Sequence, residues 1–409
     1  MTIQSPRVLL ANEAGSGRGH VVKLRAIATA LGQELPVIAA VARSRHTDEL
    51  AEVGAEILRA PLMDYTAAAR DNPMLEGNAT WGDYLAAMGL AREDVVARGL
   101  DYWRRTIVDH DISILVTDFA PLAMRAAQGL QADGWDIQII STGTGYGVPP
   151  ATLDRFPVLL PDFARVTRPE ADVLAVMNRV GAERGLDPLP TLPALYAADL
   201  PLPATFAFLD AYDGQRTGHG LCPPMVDVAP APGPGGDEVF IYFSTRELSE
   251  PDVVAALCDL PYPRRAYLPN ALPEMADRLA AAGIIIETKP LSAAAIAARS
   301  RIVLHAAQHG IICLAGLAGL PQVGLPQHLE QFFHGTRAAA RGVLQQLRKP
   351  DRSKAAVLDL VAGAYDDAAM AKAARDLAAE LRPQMPKDPK ADLVARLAPV
   401  IDRARQALK

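Results

Sequence analysis

The chain has 409 residues, half of them hydrophobic, which is too much for one ordinary core and enough for two domains of typical size. Its 41 basic and 47 acidic residues leave a net charge of -6 and are scattered, so there is no basic field for nucleic acid. Three separated cysteines without CxxC spacing argue against a disulfide framework or a thiolate metal cage and fit a reducing cytosol.

Short apolar runs alternate with helical patterns from the start: "RVLLA" (7–11), "PVIAAVA" (36–42), "ISILVT" (112–117) and "IQII" (137–140). That rhythm predicts βαβ units around a buried parallel sheet. The opening has no basic, apolar and small-residue sequence of regions of the kind a cleaved signal carries, and no apolar run reaches the ~20 residues of a membrane span. The expectation is a cytoplasmic protein with at most peripheral membrane contact. A mostly helical insertion (61–110) concentrates Met63, Tyr65, Met74, Trp81, Tyr84, Met88, Tyr102 and Trp103 in a chain that is only 5% aromatic. It reads equally as local core or as an apolar acceptor pocket, with Tyr65, Trp81 and Tyr84 as candidate contacts.

The Pro- and Gly-dense tract "CPPMVDVAPAPGPGGDE" (222–238) cannot hold a helix and reads as a linker. The rhythm then restarts with "VFIYF" (239–243), "RAYL" (265–268), "IIIE" (284–287), "RIVL" (301–304) and "QVGL" (322–325). Ala-rich helices follow over roughly 353–382 and 390–408, broken by "RPQMPKDPK". The predicted organisation is an N-terminal domain (1–228), a C-terminal domain (229–382) and a last helix (383–409) packing back toward the first. The pairs Arg104-Arg105 and Arg264-Arg265 read as solvated helix faces, and "DHD" (109–111) as a solvated turn.

The first turn, "EAGSGRGH", offers Gly15 and Gly17 of a dinucleotide fingerprint, but His20 stands where the third glycine belongs. The next strand ends in "RSRH" without the ribose-binding acid; Arg43 and Arg45 leave an NADP reading open. Nor does Lys23 fall at the distance a P-loop requires. Position supplies another reading, because ligands of open α/β sheets lie beyond the carboxyl ends of strands. His20 and Asp118 both sit at such ends, and a histidine oriented by a buried carboxylate is the arrangement of a general base. Taken singly, each is equally a cap or packing residue. His305 and His309 could share a helical face, but no third metal ligand has matching spacing. His219, His328 and His334 read as loop or interior histidines.

The segment "LSAAAIAARSRIVLHAAQHGIICLAGLAGLPQVGLPQHLEQFFHGTRAAARGV" (291–343) resembles the signature of nucleotide-sugar-dependent GT-B glycosyltransferases, the UDP-glycosyltransferase and macrolide glycosyltransferase type. Gly310, Gly319, Pro321, Pro326 and the pair Glu330-Gln331 fall at matching spacing. "GRGHVVKLRAIATAL" and "LVTDFAPLAMRAA" are similar to the family's first loop and V-x-D segment, and "VFIYFST" to the strand and turn opening its second domain.

The resemblance implies two Rossmann-like doubly wound α/β domains facing a central cleft, and inverting, metal-independent transfer of a hexose to a hydroxyl of a small or lipid-like acceptor. It implies His20 as general base, Asp118 as its partner, and Glu330 and Gln331 on donor hydroxyls. Ser244, Thr245, Lys289, His305, His309 and Gly310 line the implied donor site. No cofactor is implied beyond a UDP- or dTDP-linked co-substrate, and a homodimer is compatible with it. The departures are local. Ala306 stands where the family has its diphosphate-contacting histidine, Ala307 and Gln308 replace its glycine pair, and Ile311 and Leu314 replace a hydroxyl residue and a glutamate. Lys289 stands near the place of a base-stacking tryptophan. Two other functions fit the same architecture: a non-catalytic homologue that binds a partner or nucleotide, and a nucleotide-sugar epimerase.

Overall fold

The computed structural model describes residues 5–13, 18–32, 35–43, 46–63, 79–160, 165–218, 220–228, 235–244 and 246–409. The chain divides into two compact units, Met1–Cys222 with Lys387–Lys409, and Pro223–Pro386.

The first unit is built on six parallel strands: β1 (Arg7–Asn12), β2 (Val37–Val41), β3 (Glu56–Arg59), β4 (Ile112–Asp118), β5 (Gln138–Gly143) and β6 (Leu200–Pro203), in the order β3-β2-β1-β4-β5-β6. Its helices are α1 (Arg18–Leu31), α2 (Asp48–Ala51), α3 (Trp81–Leu85), α4 (Glu93–Asp109), α5 (Pro121–Ala132) and α6 (Glu170–Ala182). Val8, Leu9, Leu10, Ile114, Leu115 and Val116 have no exposed surface, because helices cover both faces of a parallel sheet and each strand must be apolar throughout.

The second unit repeats the arrangement with β7 (Glu238–Tyr242), β8 (Arg264–Tyr267), β9 (Ile285–Glu287), β10 (Ser300–His305), β11 (Gln322–Gly324) and β12 (Leu344–Gln346), ordered β12-β11-β10-β7-β8-β9. Its helices are α7 (Pro251–Asp259), α8 (Pro273–Ala281), α9 (Ala293–Arg299), α10 (His309–Ala318), α11 (Leu329–Ala340), α12 (Lys354–Asp366) and α13 (Ala368–Leu381). The last helix, α14 (Pro389–Ala407), belongs to the first unit, where Arg403 Nε donates to Gln138 Oε1 at 2.6 Å. No helix among the described residues is long and apolar enough to cross a membrane.

Several local expectations change. The continuous helix expected over 353–382 is two, because the Asp367 carboxylate caps a new start by accepting from Met370 N at 2.9 Å. Arg264 and Arg265 lie in β8 rather than on a helix face, and Arg265 is buried against Glu238 of β7 and Glu287 of β9. Strands β3, β6 and β12 escaped the hydrophobic pattern, and all three are sheet edges. An edge strand has one partner and tolerates polar residues, as in "LQQ", or prolines, as in "LPLP".

In both sheets the strand order reverses beside the first strand, at β1/β4 and at β7/β10. Loops leaving these strands diverge, and a crevice opens at their carboxyl ends. In the first unit two residues of β1's end hold that turn in place. Asn12 Nδ2 donates to Asp118 O at 2.7 Å and Glu13 N to Phe119 O at 3.2 Å. Phe119 adopts a left-handed φ of 57°, a conformation that persists only when its neighbours impose it. The Glu13 carboxyl accepts from Ala123 N at 2.7 Å and Leu122 N at 3.3 Å, in the first turn of α5.

Burial raises Glu13 to about 8, against the opposing pull of the Ala123 and Leu122 N–H groups. The folded protein therefore keeps a proton that the unfolded chain, titrating near 4.5, has already released. Stability from this group is fully present below about 4.5 and is lost as pH rises to about 8. Glu13→Gln stays neutral, so its thermal denaturation midpoint should decline less than that of the natural protein across this window. Parallel pH profiles would show that Glu13 is ionised when folded.

Candidate functional site

Helix α1 begins where Arg18 makes a bidentate pair with Glu49, Nε–Oε1 at 2.7 Å and Nη2–Oε2 at 3.0 Å. This anchors the first turn that carries His20. From there His20 Nδ1 lies 3.1 Å from Asp118 Oδ2, at the end of β4. The approach is close but is not aligned as a hydrogen bond. Lys23, one turn along the same face, brings Nζ to 3.3 Å from the same oxygen. Burial by itself would raise the Asp118 carboxyl, but the charge of Lys23 and then that of His20 outweigh it and hold it below the usual carboxylate range.

With Nδ1 turned to the carboxylate, Nε2 is the nitrogen left for chemistry, on a side chain 30% exposed beside a carboxylate that is 3% exposed. The structure thus brings His20 and Asp118 together and adds Lys23. The i, i+3 spacing of His20 and Lys23 was the available signal, since such residues share a helix face.

The aromatic residues of the insertion adjoin this turn through Phe119. Trp81 is buried, donates from Nε1 to Tyr196 OH at 2.6 Å, and packs edge-on to Tyr146 with centroids 5.2 Å apart. Its burial fits the local-core half of the expectation for the insertion. Tyr84 and Phe119 are half-buried and stack at 5.9 Å, forming the wall above it. The start of α3 is fixed by buried Asp83, which accepts from Ala79 N (3.1 Å), Thr167 N (3.1 Å), Arg168 N (3.0 Å) and the Thr167 hydroxyl (2.6 Å). Tyr65, Thr245, Gly15, Gly17 and His219 lie outside the described residues.

In the second unit the ends of β7 and β10 are joined by Gln308, which the sequence reading marked only as a replacement within a glycine pair. Gln308 Nε2 donates to Ser244 Oγ at 3.2 Å, and its Oε1 accepts from Ala306 N at 3.1 Å. Asn270 Nδ2 donates to Ser244 O at 2.6 Å. Gln308 is the residue immediately before α10, a polar side chain where a strand end meets a helix start.

His305 does not face outward as expected. It is fully buried, with Nε2 3.0 Å from Gln322 Oε1 and Nδ1 accepting from Ala307 N at 2.8 Å. Both ring nitrogens are engaged, and burial lowers its pKa to about 4, so it stays neutral and holds the loop. Ala307 has a left-handed φ of 58°.

His309 also turns inward, its ring edge-on to His334 with centroids 5.0 Å apart and Nε2 3.7 Å from Cys313 Sγ. His334 is fully buried and lowered to about 3, first by burial and then by His309.

Gly310 is exposed in the first turn of α10, with open space where a side chain would stand. Lys289 is exposed but follows edge strand β9, separated from β7 by β8. Glu330 and Gln331 are consecutive in the first turn of α11 and so point about 100° apart. Gln331 is buried and its Oε1 accepts from Gln327 N at 2.6 Å, while Glu330 remains half-buried. The expected carboxylate-amide bracket is therefore not presented as one surface. Among the described residues no three His, Cys, Asp or Glu side chains gather as a metal ion would need.

No family model and no curated protein sequence matches this chain. Solved structures do. The calicheamicin glycosyltransferase CalG4 is 16% identical, with a TM-score of 0.66 over 97% of this chain and 99% of its own. The glycosyltransferase VinC, in complex with dTDP, is 15% identical, with a TM-score of 0.62 over 98% of this chain and 100% of its own. The spinosyn rhamnosyltransferase SpnG, complexed with spinosyn aglycone, is 19% identical, with a TM-score of 0.57 over 97% of this chain and 100% of its own. At these identities the likeness establishes architecture: the chain has the paired Rossmann-like α/β domains of GT-B glycosyltransferases.

Proposed function

We propose that the protein is an inverting glycosyltransferase that moves a hexose from a nucleoside diphosphate sugar to a hydroxyl of a small, partly apolar acceptor. The observation that carries this reading is the His20–Asp118 contact at the β1/β4 strand ends. An alcohol is a poor nucleophile until a positioned base takes its proton. His20 Nε2 removes the acceptor proton as the acceptor oxygen bonds to the anomeric carbon. The bond from that carbon to the diphosphate oxygen breaks, and its electron pair leaves with the nucleoside diphosphate. Asp118 holds the ring through Nδ1 and stabilises the imidazolium that forms. Lys23 keeps Asp118 ionised throughout.

The half-buried stacked rings of Tyr84 and Phe119 support an apolar acceptor face beside this base. SpnG, solved with spinosyn aglycone, makes a natural-product aglycone a reasonable class to test. For the donor, the first turn of α10 offers N–H groups that no helix can satisfy internally, with open space at Gly310. This reading places no metal on the diphosphate. VinC holds dTDP, which favours dTDP over UDP as the first nucleotide to try.

One observation favours a second reading, a nucleotide-binding protein without turnover: the Gln308 amide already spans from Ala306 to Ser244 beside that turn.

Transfer assays with dTDP- and UDP-hexoses against natural-product aglycones, run alongside calorimetric titration with dTDP, separate the two. His20→Ala should lose about 10²- to 10⁴-fold in kcat while its affinity for dTDP is unchanged. Transfer by His20→Ala at the natural rate would remove the base assignment. Binding of dTDP without turnover by the unaltered protein would favour the second reading. Asp118→Asn should lower kcat by a comparable factor with little change in dTDP affinity, because its role is confined to the ring it holds.

A further inference from the structure

A cavity of about 530 Å³ lies on the first unit, lined by Arg59, Ala60 and Pro61 at the end of β3 and by Arg98, Asp101, Tyr102 and Arg105 of α4. The α4 residues recur at helical spacing and form one face of the helix. Arg59, Arg98 and Arg105 are exposed, and among the described residues none has a carboxylate within ion-pair distance.

Acidic side chains are close by but committed. Asp101 is held bidentate by Arg184, Nε–Oδ1 at 2.7 Å and Nη2–Oδ2 at 2.9 Å. Asp94 is held by Arg92 at 2.9 and 3.2 Å. Arg104, on the same helix, has its own partner in Asp133 at 2.8 Å. Three arginines thus line one concavity whose single carboxylate, Asp101, is already paired with Arg184, and among the described residues none of the three is in ion-pair contact with a carboxylate. Like charges gathered this way repel one another, and an anion bound among them removes that cost.

The rest of the lining is apolar or amphipathic: Ala60, Pro61, the Tyr102 ring and the aliphatic stems of the arginines. The volume falls within the range of small-molecule sites, and the concavity suits a compact ligand better than the broad face of a protein partner.

We infer that this cavity binds a small molecule with an apolar body and an oxyanion head, a carboxylate or phosphate, with the head gripped by Arg59, Arg98 and Arg105. Guanidinium groups suit such heads because their paired N–H donors match two oxygens at once. The site uses none of the side chains assigned to sugar transfer, so it stands whether or not that reading holds.

The probe is 2-naphthyl phosphate, titrated calorimetrically at low salt, with neutral 2-naphthol, 2-naphthoate and inorganic phosphate in parallel. The naphthyl phosphate should bind with a Kd below about 1 mM and weaken as salt is added. Naphthol and inorganic phosphate should each bind about tenfold or more weakly, since each keeps half of the recognition. Naphthoate binding as tightly as the phosphate would identify the head as any oxyanion; a much weaker naphthoate would narrow it to phosphate. Each of Arg98→Gln and Arg105→Gln should weaken the phosphate probe about tenfold, while Arg104→Gln on the same helix leaves it unchanged. The inference is overturned if the probe does not bind the unaltered protein. It is equally overturned if naphthol binds as tightly as naphthyl phosphate, or if folded Arg98→Gln and Arg105→Gln proteins bind it as the unaltered protein does.

Discussion

A carboxylate kept ionised where almost no water reaches it is the interaction on which the first unit's site depends. An isolated buried charge costs several kcal/mol, and Asp118 avoids that cost only because α1 delivers two partners to one of its oxygens. The division of labour between them matters. Lys23 is the stronger of the two in holding Asp118 ionised, and His20 the weaker. The arrangement is therefore a buried carboxylate with a lysine as its main charge partner and a histidine ring beside it.

The two units meet the same topological problem with different chemistry. Each places a non-glycine residue in a left-handed conformation just beyond its fourth strand, Phe119 after β4 and Ala307 after β10. Such residues cost about 1–2 kcal/mol each and need enforcement. In the first unit enforcement comes from the end of β1, through Asn12 and Glu13. In the second it comes from His305 at the end of β10 and from Gln308 reaching Ser244 beyond β7. Room for the Ala307 methyl is made by Gly324 and Gly335, where an added Cβ would lie 3.4 and 3.2 Å from it. The loop is thus a packed unit built around an alanine, which accounts for its departure from the glycine pair of the family it resembles.

Local pattern carried much of this. Parallel strands inside a sheet are apolar runs, so β1, β2, β4, β5, β7, β8, β10 and β11 were legible; edge strand β9 was legible too because its run happens to be apolar, and the Pro/Gly tract near 230 marked a break in the rhythm. Edge strands β3, β6 and β12 were not, because a strand with one partner need not be apolar. In the site, His20 and Asp118 could be paired before any coordinates because one belongs to the turn and helix start after β1 and the other ends β4, its neighbour in the sheet. Lys23 was visible as an i, i+3 neighbour but had been weighed only as a phosphate-binding lysine.

Residue order by itself determined the alternation of strand and helix, the doubly wound class and the location of strand ends, since these follow from hydrophobic period and turn chemistry. Only the tertiary structure decided which way polar side chains face. His305 and Gln331 occupy positions whose spacing suggests ligand contact, yet both are buried, their polar atoms spent on Gln322, Ala307 and Gln327. The convergence of Arg59 with Arg98 and Arg105 likewise joins a strand end to a helix some forty positions along. Spacing along a chain constrains which residues share an element's face; it carries no information about which buried donor or acceptor will be waiting there, because that partner comes from another element.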